Sequence, residues 1–166
     1  MLPSLGPPDS HHLNAAVGWL GLGNSIEANE ELDKIKPLLR VHPDVLKVRW
    51  SIYEQAKKWT ACVDIASTII KLAAEDPFGW VHRSFALHEL KRTQEAYDNL
   101  IPIVDDFSEE WLMRYNLACY AAQLGKLNEA QDWIEKAMLM GDEGEIKSMA
   151  IDDPDLEPIW AEISEI

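Results

Sequence analysis

Apolar residues recur at helical spacing along most of this chain, and the pattern repeats with a fixed period. Residues 116–138 read NLACYAAQLGKLNEAQDWIEKAM, which predicts two amphipathic helices joined by a tight turn at Gly125. Stepping back by 34 residues returns the same skeleton three times, with no insertion or deletion. A fixed period of this length is typical of one supersecondary unit stacked on copies of itself.

Four columns of equivalent positions carry the repeat. The turn column is Gly23, Lys57, Lys91 and Gly125, and the small column is Ala28, Cys62, Ala96 and Ala130. The two columns that follow are Leu32, Ala66, Leu100, Ile134 and Ile35, Ile69, Ile103, Ala137. Because these positions recur at helical spacing, we expect them to face inward.

Start and stop signals place the helices within each unit. The second unit opens at Pro43 and the third at Pro77, since proline at a first helical position needs no hydrogen-bond donor. Pro102 falls inside the second helix of the third unit, so that helix is predicted to kink or end near Leu100. The second helix of the first unit is predicted to end near residues 37–40. The predicted N-caps include Ser10, Ser25, Ser108 and Asn128.

The columns resemble the tetratricopeptide repeat family, whose 34-residue units place a small residue, an alanine and a bulky apolar residue at fixed offsets. The resemblance covers residues 10–142. It implies an all-α solenoid, a right-handed superhelix of antiparallel helix–turn–helix repeats ended by a capping C-terminal helix. The predicted organisation is a flexible leader (1–9), four repeats (10–42, 43–76, 77–110, 111–142) and an acidic cap (143–166).

Two departures from the family pattern concern packing. The family's leucine column carries Arg49 and Arg83 in the second and third repeats. The normally small column beside it carries Trp50 in the second repeat, which is also the repeat whose bulky column is shortened to Ala66. We expect a size exchange in which the tryptophan fills the space that a larger residue at 66 would take.

Charge and composition exclude several partners. The net charge of −14 repels duplex nucleic acid and anionic membranes. Residues 142–166 hold nine acidic residues against Lys147, which makes this end either a solubilising surface or a docking site for a basic partner. No apolar run is long enough to span a bilayer, and residues 1–9 lack the pattern of a secretory signal, which favours a cytoplasmic location. Cys62 and Cys119 are expected to be reduced, buried thiols.

No motif predicts catalysis, a metal site or a cofactor. The glycines of residues 18–23, GWLGLG, lie within a predicted helix and follow no strand, so they do not form a phosphate loop. Asp153, Asp155 and Glu157 alternate like the start of a calcium loop, but Pro158 stands where the loop needs glycine. Adjacent His11 and His12 do not share a helix face, so they are not expected to hold a metal. The chain is therefore predicted not to be an enzyme.

The resemblance instead implies protein binding on the concave face, which the first helix of each repeat lines. The residues it places there are Asn14, Val17, Lys47, Ser51, Glu54, His82, Phe85, His88, Tyr115, Asn116 and Cys119. Lys47 is the one fixed cation in this set, which argues against a carboxylate clamp and favours a partner peptide or helix that is apolar or basic. His82 and His88 could make binding sensitive to pH between about 5 and 7.

Three functions stay open at this stage. The first is a non-catalytic scaffold or adaptor, present as a monomer or a weak homo-oligomer. The second is a small acidic chaperone for a secreted or aggregation-prone client, and the third is a self-associating structural adaptor.

Overall fold

A computed structural model of the chain describes residues 4–166. This part of the chain forms ten α-helices and three 3-10 segments and contains no strand. The helices are α1 (Asp9–Gly21), α2 (Ser25–Lys34), α3 (Pro43–Gln55), α4 (Trp59–Leu72), α5 (Pro77–Glu89), α6 (Thr93–Leu100), α7 (Trp111–Gln123), α8 (Leu127–Met140), α9 (Glu143–Asp152) and α10 (Trp160–Glu165). The 3-10 segments are Pro37–Leu39, Val104–Asp106 and Pro154–Ile159.

The chain turns between paired helices at the predicted column. Gly23 and Gly125 have φ of +75° and +76°, and Lys57 and Lys91 have φ of +53° and +63°. A left-handed conformation costs a residue with a side chain roughly 1–2 kcal/mol, whereas glycine adopts it freely. Glycine therefore forms this left-handed turn without strain in two hairpins, and lysine forms it with strain in the other two. The four predicted turns are confirmed.

The predicted inward columns are buried. The small column is fully buried in all four repeats: Ala28, Cys62, Ala96 and Ala130. In the last column Ile103 is half-buried, because α6 ends at Leu100 before that position is reached. Pro102 lacks the N–H that a further helical turn needs, so the early end of α6 is also confirmed.

The start of α1 corrects one prediction. The helix begins at Asp9 rather than after a Ser10 cap, and the buried Asp9 carboxylate accepts the backbone N–H of Lys36 at 2.8 Å. Leu5, within the predicted leader, packs against an apolar cluster that includes Ala16 and Leu32. Of that predicted leader, residues 1–3 lie outside the described part of the chain.

Other helix ends also differ from the predictions. α2 ends at Lys34, because Lys36 precedes Pro37 and takes an extended conformation, with ψ of 135°. The predicted caps are wrong by one to two residues: the N-cap positions are Asn24, Glu110 and Lys126 rather than Ser25, Ser108 and Asn128.

The helices form two compact units whose boundary falls within α5, between His82 and Arg83. The core of the first unit is an apolar cluster of α1, α2 and α3 and the segment after α2: Ala16, Ala28, Leu32, Ile35, Val45 and Ile52. In the second unit, the segment after α9 buries Leu156, Ile159 and Ile163 almost completely, at 0–1% exposure.

Candidate partner-binding site

Five predicted binding residues of the first unit lie on α1 and α3, and the sixth, His82, lies on α5. Asn14 is exposed and Val17 is 51% exposed, whereas Lys47, Ser51 and Glu54 are half-buried. The amide of Gln55 donates to the Leu20 carbonyl at 3.4 Å, which brings the end of α3 against α1. We call the residues Lys47, Ser51, Glu54 and Gln55 the α3 stripe.

Lys47 is already neutralised within this unit. Its ammonium forms an ion pair with Asp76 and lies 5.5 Å from the centre of the Phe78 ring. Partial burial opposes ionisation of Asp76, but the hydrogen bonds from Lys47 and from the Phe78 N–H hold the pKa of this carboxyl below its usual value. Lys47, the fixed cation predicted for the concave face, is thus already paired with Asp76 of the same unit.

Glu54 has the opposite surroundings. It forms no ion pair and no side-chain hydrogen bond with any residue between 4 and 166. Burial raises the pKa of the Glu54 carboxyl, because nothing in the described part of the unit replaces the water that the charge has lost. Its charge also contributes, after burial, to the raised pKa of the Cys62 thiol, which reaches about 11.

His82 is enclosed by aromatic rings rather than displayed for a partner. Its ring stacks on Phe78 with centroids 3.6 Å apart, and Trp50 meets it edge-on at 4.5 Å. Its Nδ1 lies 2.9 Å from the Phe78 carbonyl oxygen. Burial lowers the pKa of His82 despite this contact, so the ring favours the neutral form.

In the second unit, the predicted binding residues of α7 are covered by the chain's own tail. The Tyr115 hydroxyl donates to Asp153 Oδ2 at 2.8 Å, and the Cys119 thiol lies 3.7 Å from the same oxygen. The Gln123 amide donates to the Asp155 carbonyl at 2.8 Å. Residues 153–155 thus run along one face of α7, which we call the α7 stripe: Tyr115, Cys119, Ala122 and Gln123.

The other predicted residues of this unit are also turned to internal contacts or partly covered. His88 is 7% exposed, and its Nε2 lies 2.9 Å from Asp155 Oδ2. Asn116 is buried and Phe85 is half-buried. The sequence placed Asp153 and Asp155 in a cap but gave no sign that they lie on α7, because helical spacing identifies a buried face without naming what covers it.

The buried thiols and phenols are poor reactive groups. Burial, followed by the charge of Asp153, raises the pKa of Cys119 well above its usual value. Burial also raises the pKa of Tyr115 and of Tyr120. Thiols held in the protonated form are weak nucleophiles.

Within residues 4–166, no group of three or more histidine, cysteine or acidic side chains is arranged to hold a metal ion.

A second surface lies between α2 and α3. It is an open groove of about 390 Å³ lined by Ser25, Ile26, Asn29, Ile52, Tyr53 and Lys58, among others. Ile26 is 72% exposed, and nearby Leu22 is 78% exposed.

None of the helices of the described chain combines the length and the apolar character that crossing a bilayer requires.

Helical hairpins whose turns and buried columns repeat every 34 residues define an all-α repeat protein. The same helical-repeat fold is found in three solved structures, one of which is described as a TPR protein. PilF of Pseudomonas aeruginosa matches with a TM-score of 0.76 at 18% identity, over 94% of this chain and 69% of that one. MamA from residue 41 onward, of Desulfovibrio magneticus RS-1, matches with 0.72 at 16%, over 98% and 94%. TTC0263, a thermophilic TPR protein of Thermus thermophilus, matches with 0.71 at 15%, over 95% and 100%.

These likenesses establish the fold, and the predicted all-α repeat class is confirmed. No protein-family model matches the chain, and no curated protein matches it. At identities of 18% or below, the partners of these three proteins are not transferred to this chain.

Proposed function

We propose that this chain is a non-catalytic protein-interaction scaffold that binds a partner segment on its first unit. The binding face consists of the α3 stripe and the exposed side of α1 around Val17. The observation that carries the proposal is the contrast between two equivalent faces, since the α7 stripe is covered by residues 153–155 and no comparable segment of the described chain covers Val17.

A capture experiment tests the proposal. Tagged wild-type protein is used to isolate partners from the source cell, beside the variants Val17→Arg and Leu139→Arg. Leu139 is 86% exposed on α8 and provides a matched apolar-to-basic control. We expect Val17→Arg to lose a partner that Leu139→Arg retains. Equal capture of partners by the two variants would show that the binding face does not include Val17 on α1.

Self-association is a second candidate, favoured by the exposure of Leu22 and Ile26 near the first interhelical turn. Contiguous exposed apolar side chains commonly mark an interface. Light scattering over a range of protein concentrations tests it, with Ile26→Lys as the variant. A mass that rises with concentration in the wild type and stays at 18.8 kDa in the variant would support it. A wild-type mass that stays constant would exclude it.

A further inference from the structure

The α3 and α7 stripes occupy the same register of the repeat. α3 runs from Pro43 to Gln55 and α7 from Trp111 to Gln123, so both ends are displaced by the same 68 residues, or two repeats. Each residue of the α3 stripe therefore has a counterpart in the α7 stripe. The counterparts of Lys47, Ser51, Glu54 and Gln55 are Tyr115, Cys119, Ala122 and Gln123.

Residues 153–155 of the tail occupy the α7 stripe as an intramolecular ligand would. They lie along the stripe through donors at both ends, with the Tyr115 hydroxyl on a side-chain carboxylate and the Gln123 amide on a backbone carbonyl. Ala122, between these donors, is 4% exposed. Gln55 keeps the same amide on α3, where it makes one long and exposed hydrogen bond to Leu20. One of the donors that hold Asp153 and the start of the Pro154–Ile159 segment on α7 is thus also present on α3.

The stripes differ in charge at two positions, where α3 has Lys47 and Glu54 and α7 has the neutral Tyr115 and Ala122. Since Asp76 neutralises Lys47, Glu54 leaves one negative charge on the α3 stripe without a partner among residues 4–166. A half-buried charge without a partner is costly, and an arriving cation would relieve that cost by a charge-assisted hydrogen bond.

We infer that the α3 stripe binds a partner segment that carries a lysine or arginine opposite Glu54 and an apolar side chain beside Val17. This inference rests on the proposed function and names the chemistry of the partner. Burial raises the pKa of Glu54, which agrees with a carboxylate that has no ion-pair or hydrogen-bond partner among residues 4–166. The segment lies along α3 as residues 153–155 lie along α7.

Selection from a phage-displayed library of random peptides tests the inference without a known partner. Wild-type protein is expected to enrich peptides in which a lysine or arginine neighbours an apolar residue. The charge-reversed variant Glu54→Lys is expected to enrich aspartate or glutamate at that place instead. Because the chain is acidic overall, Asp64→Asn, at an exposed position on α4, serves as the matched control for non-specific attraction.

Fluorescence anisotropy with the best enriched peptide then measures the contribution of the single carboxylate. We expect Glu54→Gln to weaken binding about tenfold, as loss of one charge-assisted hydrogen bond implies, and Asp64→Asn to leave it unchanged. Peptides that are enriched with no preference for basic residues, or that bind Glu54→Gln as tightly as wild type, would overturn the inference and leave the scaffold proposal standing. Failure to enrich any peptide whose binding Val17→Arg abolishes would overturn both.

Discussion

His88 and Asp155 are 67 residues apart in sequence, and their side chains meet at 2.9 Å between Nε2 and Oδ2. The other ring nitrogen of His88 lies 2.9 Å from the Thr93 hydroxyl, so the imidazole is fixed on both sides. The hydrogen bond from His88 lowers the pKa of Asp155, with Lys91 adding a smaller attraction and burial opposing both. This contact ties the tail to α5, and the contacts of Asp153 with Tyr115 and Cys119 hold it on α7.

Asp155→Asn tests the contribution of this charge to stability. The folded-state pKa of Asp155 lies below its ordinary value of 3.8, so the carboxylate stabilises the fold above that value and stops doing so as the pH falls through the folded pKa. Its side chain is 37% exposed, so solvent screens the interaction and the expected loss at neutral pH is roughly 0.5–1 kcal/mol. Urea unfolding followed by circular dichroism measures the difference.

The pH dependence gives this test its control. The gap between wild type and Asp155→Asn is expected to narrow as the pH falls below 3.8 and to close below the lowered folded-state pKa, where the wild-type carboxyl is also protonated. Asp152→Asn, at the exposed last residue of α9, should unfold like the wild type at every pH. If the stability difference between wild type and Asp155→Asn persisted undiminished in acid, it would come from the changed shape of the side chain and not from the lost charge.

Lys57→Gly is expected to stabilise the protein by about 0.5–1 kcal/mol. Lys57 is exposed and has φ of +53°, so glycine relieves left-handed strain of roughly 1–2 kcal/mol at a smaller cost in chain entropy. Thermal unfolding measures the gain. Lys58→Gly is the matched control, because Lys58 has φ of −86° and carries no such strain to relieve. Equal shifts in the two variants would contradict this account.

The turns and buried columns could be predicted from the sequence because each depends on a local pattern that repeats. Lys57 was placed in a turn by its column, even though lysine by itself does not indicate a left-handed residue. The early end of α6 followed from Pro102, whose effect is also local. The caps were less accurate, since neighbouring polar residues compete for the same donors, and Asn24 rather than Ser25 accepts the Glu27 N–H.

The candidate site was less predictable because it depends on contacts distant in sequence. The resemblance places Tyr115 and Cys119 on one face, but the oxygen that both contact belongs to Asp153, more than thirty residues later. The resemblance also places His82 on the face, whereas its ring is stacked on Phe78. A periodic pattern specifies which side of a helix is covered and leaves the identity of the covering group to the tertiary fold.

Arg114→Met is expected to destabilise the protein by about 3 kcal/mol. Arg114 is 3% exposed, and its guanidinium donates to the carbonyls of Phe107, Glu110 and Val104 at 2.7, 3.1 and 3.0 Å. Methionine keeps most of the apolar stem but leaves these three acceptors without that donor. Chemical unfolding measures the loss.

Arg92→Met provides the comparison for Arg114. Arg92 is exposed and pairs with Glu95 three residues away on the surface, so its removal should cost less than about 1 kcal/mol. If both variants lost the same stability, the carbonyl contacts of Arg114 would not be what stabilises the segment before α7.

The predicted size exchange between Trp50 and Ala66 gives a final test in the first unit. Both side chains are buried, at 2% and 0% exposure, and a Cβ built on Gly79 would lie 3.2 Å from the Ala66 carbonyl oxygen. With so little room, Ala66→Leu should cost about 1–3 kcal/mol in wild-type protein. Beside Trp50→Ala, which vacates space, the same change should cost less. Unfolding of both single variants and the double variant yields the coupling energy, and strictly additive losses would show that the two residues do not share one volume.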